Sequence, residues 1–320
     1  MSDFASAAMI RVLAQGMRAL GLDPGPAATH GAQARVDLRQ KRLLVHAALQ
    51  QGGLGCLPLL GRGLHRLSHE PTHLALASAR DAADLFERWQ RLERYIHSRH
   101  RCAIETRTST RARLRHGTFT GGARPSAAED LVVLGVLAAL LEAIGLQQVQ
   151  VWIGATLAYP DPDLGGLQRA AISGSTAVWD FRWEASVLHP SGPADPKQCP
   201  AAGGADEAWP EAARAAYARL VCDLTRPLAL PALAAALGVP GRTLQRQLGK
   251  AGLSYSALLA QARCRSGAWR LLHTDDPIAE IGFLSGFADQ PHFTREMQRH
   301  VGLPPTAYRQ AFGLVRRPVR

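Results

Sequence analysis

The apolar positions change period along the chain, and those changes divide it. In "RCAIETRTST", "ARLRHGTFT", "VQVWIG" and "AVWDFRWEA", from Arg101 to Ala185, polar and apolar residues alternate as in half-buried strands. Between and before them the period lengthens to that of a helix, over Asp3 to Leu20, over Asp81 to His97 with Asp81 placed as a cap, and over the apolar Ala127 to Ile144. This pattern predicts a mixed α/β or α+β domain over residues 1–188. From His189 to Pro210 the chain is dense in Pro, Gly and Ala and has no apolar period, the composition of a linker. Residues 211–320 then return to a helical period throughout, which predicts an all-α second domain.

Within that second domain one pattern occurs twice. In "LPALAAALGVPGRTLQRQL", Leu230, Leu233 and Leu237 form one stripe, Gly238 ends the helix in a turn plugged by Val239, and a new helix places Leu244 and Leu248 on one face. Arg242 and Arg246 then point away from that face, flanked by Thr243, Gln245 and Gln247. In "IAEIGFLSGFADQPHFTREM", Ile278, Ile281, Gly282, Gly286 and Phe287 repeat the first helix and turn 48 residues later, and Phe293 and Met297 repeat Leu244 and Leu248 at 49. The outer face of this second helix carries Arg295, Gln298 and Arg299 beside His292 and Thr294, with Asp289 as its cap. Two short helices meeting at a sharp turn make a helix-turn-helix candidate, and the repeat makes two such units. Between them Tyr255 to Thr274 reads as one long helix. About 18 residues span roughly 27 Å, close to one DNA turn of roughly 34 Å, so such a rod spaces two recognition helices for successive major grooves.

Charge sharpens this picture. The chain carries a formal net charge of +11. Residues 211–320 hold 15 Lys and Arg against 7 Asp and Glu, a net of +8, which leaves +3 for residues 1–210. A concentration of positive charge favours phosphate neutralisation, and its being nearly all arginine suits forked contacts to guanine.

These residues resemble the DNA-binding domain of the AraC/XylS family of bacterial transcription regulators. The resemblance runs from about Ala215 to Phe312 and rests on "GVPGRTLQRQL", "RLLHTDDPIAEIGFLSGFADQPHF" and "GLPPTAYR". The family's usual residues are replaced at Pro240 and Pro291, where serines are common, and at Met297, where Phe is usual. The resemblance implies a sequence-specific DNA-binding regulator, an activator responsive to an effector. Arg242, Thr243, Gln245, Arg246 and Gln247 are the candidate DNA-facing residues of the first recognition helix, and His292, Thr294, Arg295, Gln298 and Arg299 those of the second. The implied partners are double-stranded promoter or operator DNA, RNA polymerase, a small-molecule effector and a second copy of the chain. The stretch from Leu76 to Glu105 resembles, less specifically, the arabinose-binding-like sensor and dimerisation domain of such regulators, with no effector legible.

Leu131 to Leu141 is too short to span a bilayer and is followed by Glu142, so a buried helix is expected, and residues 1–20 lack the pattern of a signal peptide, which places the protein in the cytoplasm with no membrane partner. Cys56, Cys102, Cys199, Cys222 and Cys264 are scattered, without a C-x-x-C pair, and are expected to be reduced. His65, His69 and His73 recur every four residues, but Pro71 interrupts them, so a solvated loop is expected there and no metal. "QQGGLGCLPLLGRG", Gln50 to Gly63, fits no phosphate-binding pattern and reads as a turn. No G-x-S-x-G or H-E-x-x-H stretch supports an enzyme, so no catalytic residue and no cofactor is expected. The rival classes are an enzymatic N-terminal half fused to a DNA-binding domain, and a basic protein coating DNA without sequence preference.

Overall fold

A computed structural model describes residues 3–25, 35–67, 71–96, 99–118, 123–184, 209–250 and 252–313. The expected linker lies almost wholly outside these residues, as do His69 and Cys199. The chain divides into two compact units, one drawn chiefly from Arg35–Arg66 and Ala79–Pro190, the other from the C-terminal region together with Leu67–Ser78. That last segment departs from chain order, since everything before residue 189 was expected in one domain.

The first unit is α+β. Its sheet of five antiparallel strands runs in the order β3-β4-β7-β5-β6, with β3 His100–Arg107, β4 Arg111–Thr118, β5 Gln147–Ile153, β6 Thr156–Tyr159 and β7 Val178–Glu184. The alternation seen in the sequence is the alternation of faces: Ala112, Leu114 and His116 of β4 and Trp179, Phe181 and Trp183 of β7 are buried, with exposed or half-buried neighbours between them. Helix α5, Ala127–Ala143, is apolar all round because it is buried nearly all round. Ser126 and Glu129 close a capping box at its start. Helix α4, Ala82–Ile96, starts as expected, with the Asp84 backbone N–H donating to Asp81 Oδ1 at 2.7 Å. The expected helix over Asp3 to Leu20 begins only at Ala7: Phe4–Ser6 is a short strand, β1, paired antiparallel with β2, Arg35–Asp37, before α1, Ala7–Ala19.

The turn expected over Gln50 to Gly63 is corrected. It lies within α2, Leu38–Leu59, and a following 3-10 helix, Leu60–Arg66, with a break only at Gly53, whose φ is 67°. The glycines serve close packing. A Cβ on Gly61 would lie 2.2 Å from the Gly135 carbonyl oxygen of α5, one on Gly135 1.9 Å from that of Pro58, and one on Gly63 2.1 Å from that of Val12. Tertiary contact thus overrides the low helix propensity of this stretch. By length and composition Leu38–Arg66 is also apolar enough to cross a membrane, but it packs against α1 and α5 of its own unit.

The second unit is all-α. It comprises α7 Glu211–Val221, α8 Leu230–Ala236, α9 Gly241–Lys250, α10 Tyr255–His273, α11 Ile278–Leu284, α12 Gln290–Val301 and α13 Pro305–Phe312. The first pair, α8 and α9, shares one core with α7 and the start of α10, through Leu233, Leu244, Leu248, Tyr217, Leu220 and Leu258. Gly238 and Gly286 adopt the left-handed turns expected after α8 and α11, with φ of 68° and 83°. Helix α10 has 19 residues, where one long helix was expected, and is capped by Ser254. Phe293 is fully buried where side chains on Gly267 and Gly282 would stand: a Cβ at those positions would meet its ring at 2.6 and 3.2 Å. In the first pair the smaller Leu244 leaves room for Ala234 at the position of Gly282.

The expected solvated loop around Pro71 is also corrected. Pro71 begins α3, Pro71–Ala77, because proline is tolerated at the first turn of a helix. His73 and Leu76 are buried, His73 Nδ1 lies 3.0 Å from the Leu67 carbonyl oxygen, and Tyr308 Oη of α13 donates to the Pro71 carbonyl at 2.6 Å. Helix α3 packs along α10 within this unit.

Candidate nucleic-acid interface

Helices α9 and α12 present the polar faces of the two pairs. Leu244 and Leu248 are one turn apart and buried, so Arg242, Gln245 and Arg246 project outward and are exposed. Thr243 and Gln247 flank them and are half-buried. Gln247 Oε1 is buried without a hydrogen-bond partner among the described residues. Pro240 offers only its backbone carbonyl to the start of α9, to the N–H groups of Thr243 and Leu244 at 2.9 and 3.1 Å.

On α12 Asp289 does cap, accepting from the His292 N–H at 2.6 Å. Phe293, Met297 and Val301 are buried; Arg295, Gln298 and Arg299 are exposed, with His292 and Thr294 half-buried. These side chains are not equally available. Gln298 Nε2 donates to the Gly302 carbonyl at 3.0 Å, which ties it to the far end of its helix. Arg299 lies 3.8 Å from Glu296, whose carboxylate also holds His300 at 3.0 Å. Arg242, Arg246 and Arg295 form no ion pair or hydrogen bond among the described residues.

Sequence reasoning missed a cleft between the first half of α10 and α12. Its volume is about 360 Å³. Ser254, Ser256 and Arg263 line one wall, and His292, Glu296, Arg299 and His300 the other. Arg263 Nε is buried with no hydrogen-bond partner among the described residues, and burial pushes its guanidinium pKa below the ordinary arginine value. The other arginines of α10 have different surroundings. Arg265 is buried, its guanidinium carbon 5.4 and 5.3 Å from the ring centroids of Trp209 and Tyr217.

The first unit gathers buried titratable groups that no motif announced. Burial pushes the Lys41 ammonium of α2 down, against the opposing pull of Glu129, Cys102 and Glu93. Burial likewise pushes His100 down to about 4 and Glu93 up to about 7. Glu93 accepts from Trp89 Nε1 at 2.7 Å and from the Cys102 backbone N–H at 2.9 Å. Asp130 holds His116 Nδ1 at 2.7 Å and accepts from Thr176 Oγ1 at 2.6 Å. His65 pairs with Glu142 at 3.1 Å rather than with the other histidines, and no metal-holding cluster occurs among the described residues. The four described cysteines are free thiols, Cys56, Cys102 and Cys264 buried and Cys222 exposed.

Comparison with known proteins bears on the second unit. A family described as a helix-turn-helix domain matches residues 233–311. The ornithine utilization regulator of Pseudomonas aeruginosa is 36% identical over 91 residues, covering 28% of this chain and 27% of that protein. The HTH-type transcriptional activator RhaS of Escherichia fergusonii is 39% identical over 70 residues, covering 22% and 25%. Among solved structures, the C-terminal domain of AraT, a response regulator from Geobacillus stearothermophilus, matches at 25% identity with a TM-score of 0.32, covering 35% of this chain and 94% of that one. The chain spans about a quarter of the length of the curated relatives it matches. Residues 233–311 are thus a helix-turn-helix domain similar to the corresponding part of these named regulators.

Proposed function

We propose that the chain is a sequence-specific DNA-binding transcription regulator that reads two successive major grooves, through α9 of one helix-turn-helix unit and α12 of the other. One observation carries the reading: both helices bury an apolar stripe and turn outward arginines that no group among the described residues engages, Arg242 and Arg246 on one and Arg295 on the other. An arginine left unpaired on a groove-sized helix is free to fork onto guanine or neutralise a phosphate. The 19 residues of α10 amount to about 28 Å, which suits the spacing of neighbouring grooves.

Within this reading Arg242, Arg246 and Arg295 make the main contacts, with Thr243, Gln245, His292 and Thr294 beside them. Gln247, Gln298 and Arg299 contribute less, since each has its polar atoms partly buried or engaged by the protein. The first unit responds to a small-molecule effector or dimerises, and the complex activates transcription through RNA polymerase from the cytoplasm. Support for a sensing role is the resemblance of residues 76–105 and the buried titratable groups Lys41, Glu93 and His100, each pushed toward its neutral form by burial. The relatives are themselves named regulators and activators.

Fluorescence anisotropy of the full chain on its own upstream DNA and on a scrambled duplex, across a salt series, tests the reading. Tighter binding to the native duplex, weakened in Arg246→Ala and Arg295→Ala, is expected. Equal binding to both duplexes with a steep salt slope would leave a non-specific basic protein, and no binding would refute the reading outright.

A further inference from the structure

We infer that the cleft between α10 and α12 seats one phosphodiester of the bound duplex, with Arg263 as its anchor. The inference rests on the DNA-binding reading and adds a contact that neither recognition face supplies. Three observations meet in the cleft. Two arginines, Arg263 and Arg299, and two imidazoles, His292 and His300, line it, while its carboxylate, Glu296, is already engaged by His300 and Arg299. It has hydroxyls at hand, Ser254 and Ser256, whose Oγ atoms lie 2.9 Å apart at the start of α10. One polar atom of this lining, Arg263 Nε, is buried and unsatisfied among the described residues.

A buried guanidinium N–H left without an acceptor is costly, because it has lost water and gained no partner. A phosphate oxygen supplies that acceptor, and charge-assisted bonds of this kind are among the stronger hydrogen bonds proteins make. The duplex is the source that the geometry favours. His292 and Arg299 belong both to the cleft and to α12, so a strand bordering the groove occupied by α12 runs past the cleft's mouth. Such a contact positions the protein on DNA and carries no sequence information of its own.

The test uses the full chain and measures anisotropy on the native and scrambled duplexes between about 50 and 200 mM KCl. Losing one phosphate contact lowers the slope of log affinity against log salt by about 0.9, so Arg263→Ala should lose about 3.5-fold less affinity than the parent across that range. Both duplexes should weaken by the same factor at low salt, with their ratio unchanged. Arg263→Lys should recover part of the slope. Should Arg263→Ala unfold, Ser256→Glu, which adds an anion at an exposed position of the cleft, should weaken both duplexes equally. Unchanged slope and affinity in Arg263→Ala or Ser256→Glu overturn the inference, as does a change confined to the ratio. A free-anion site is separated by adding inorganic phosphate without DNA: a thermal shift that depends on Arg263, with an unaltered DNA slope, overturns the DNA source. If the parent fails to bind DNA, the DNA-binding reading falls. If it binds and Arg246→Ala and Arg295→Ala weaken while the cleft variants do not, only this inference falls.

Discussion

Gly238 and Gly286 hold the same position in the two repeated helix pairs, and replacing each by alanine separates backbone conformation from packing. Both have a positive φ, 68° and 83°. An L-residue in that region costs about 1–2 kcal/mol. Part of this is returned, about 0.4–1 kcal/mol, because alanine narrows the unfolded ensemble. For Gly238 nothing lies within 4 Å of the added Cβ, so the account stops there and Gly238→Ala should cost about 1 kcal/mol or less. At Gly286 the added Cβ would stand 1.9 Å from the Leu224 carbonyl oxygen, a backbone atom that moves only if the turn after α7 moves with it. Overpacking of that kind adds about 1–3 kcal/mol, so Gly286→Ala should cost about 2–4 kcal/mol. Urea unfolding of the full chain followed by tryptophan fluorescence measures both, since Trp209 and Trp269 report on the second unit. Equal costs at the two positions would refute the reasoning, because the αL penalty alone would then account for the role of both glycines.

Four further outcomes are expected. Arg246→Ala and Arg295→Ala should each weaken binding to the native duplex by about 1–3 kcal/mol and relax discrimination against the scrambled one, read by anisotropy at fixed salt. Tyr308→Phe removes the donor to the buried Pro71 carbonyl, so it should cost about 1–3 kcal/mol and raise proteolytic cleavage near α3. Glu93, raised by burial to about 7, favours its protonated form in the fold, so its contribution to stability is present below about 4.5 and is lost as pH rises through 7; Glu93→Gln should abolish that decline in denaturation measured from pH 4.5 to 7. His100, lowered by burial to about 4, works the other way: its contribution is present above about 6.5 and is lost as pH falls toward 4, so His100→Gln should flatten the acid limb of the same curve.

What the sequence made legible is what local physics decides. The pairs α8–α9 and α11–α12 follow from a 3.6-residue period, and their turns from glycines where the backbone must turn left-handed. The caps at Asp81 and Asp289, and the alternating faces of β4 and β7, follow in the same way from a few consecutive residues. Where partners are distant in sequence the pattern misleads. Gln50 to Gly63 has five glycines and a proline, the local mark of a turn, yet those glycines let α2 and the 3-10 helix approach the carbonyls of Gly135 and Val12. Pro71 has the local mark of a break, yet it opens a helix held by a tyrosine 237 positions away.

The three arginines of α10 show the same limit at the candidate site. Arg263, Arg265 and Arg270 sit in one short run, and composition alone gives each of them the same role as a basic side chain near DNA. Their surroundings separate them: Arg265 lies against Trp209 and Tyr217 in the core of the unit, while Arg263 faces the cleft between α10 and α12. That difference is set by helices α7 and α12, which both pack on α10 and whose residues lie some 30 to 50 positions away in sequence. An electrostatic argument from sequence can therefore locate the charge on this domain, whereas assigning an arginine to a base edge, a phosphate or an aromatic ring requires the helices that pack around it. The salt slope of Arg263→Ala, set beside the specificity ratio of Arg246→Ala, puts that division to a quantitative test, because phosphate and base contacts change different observables.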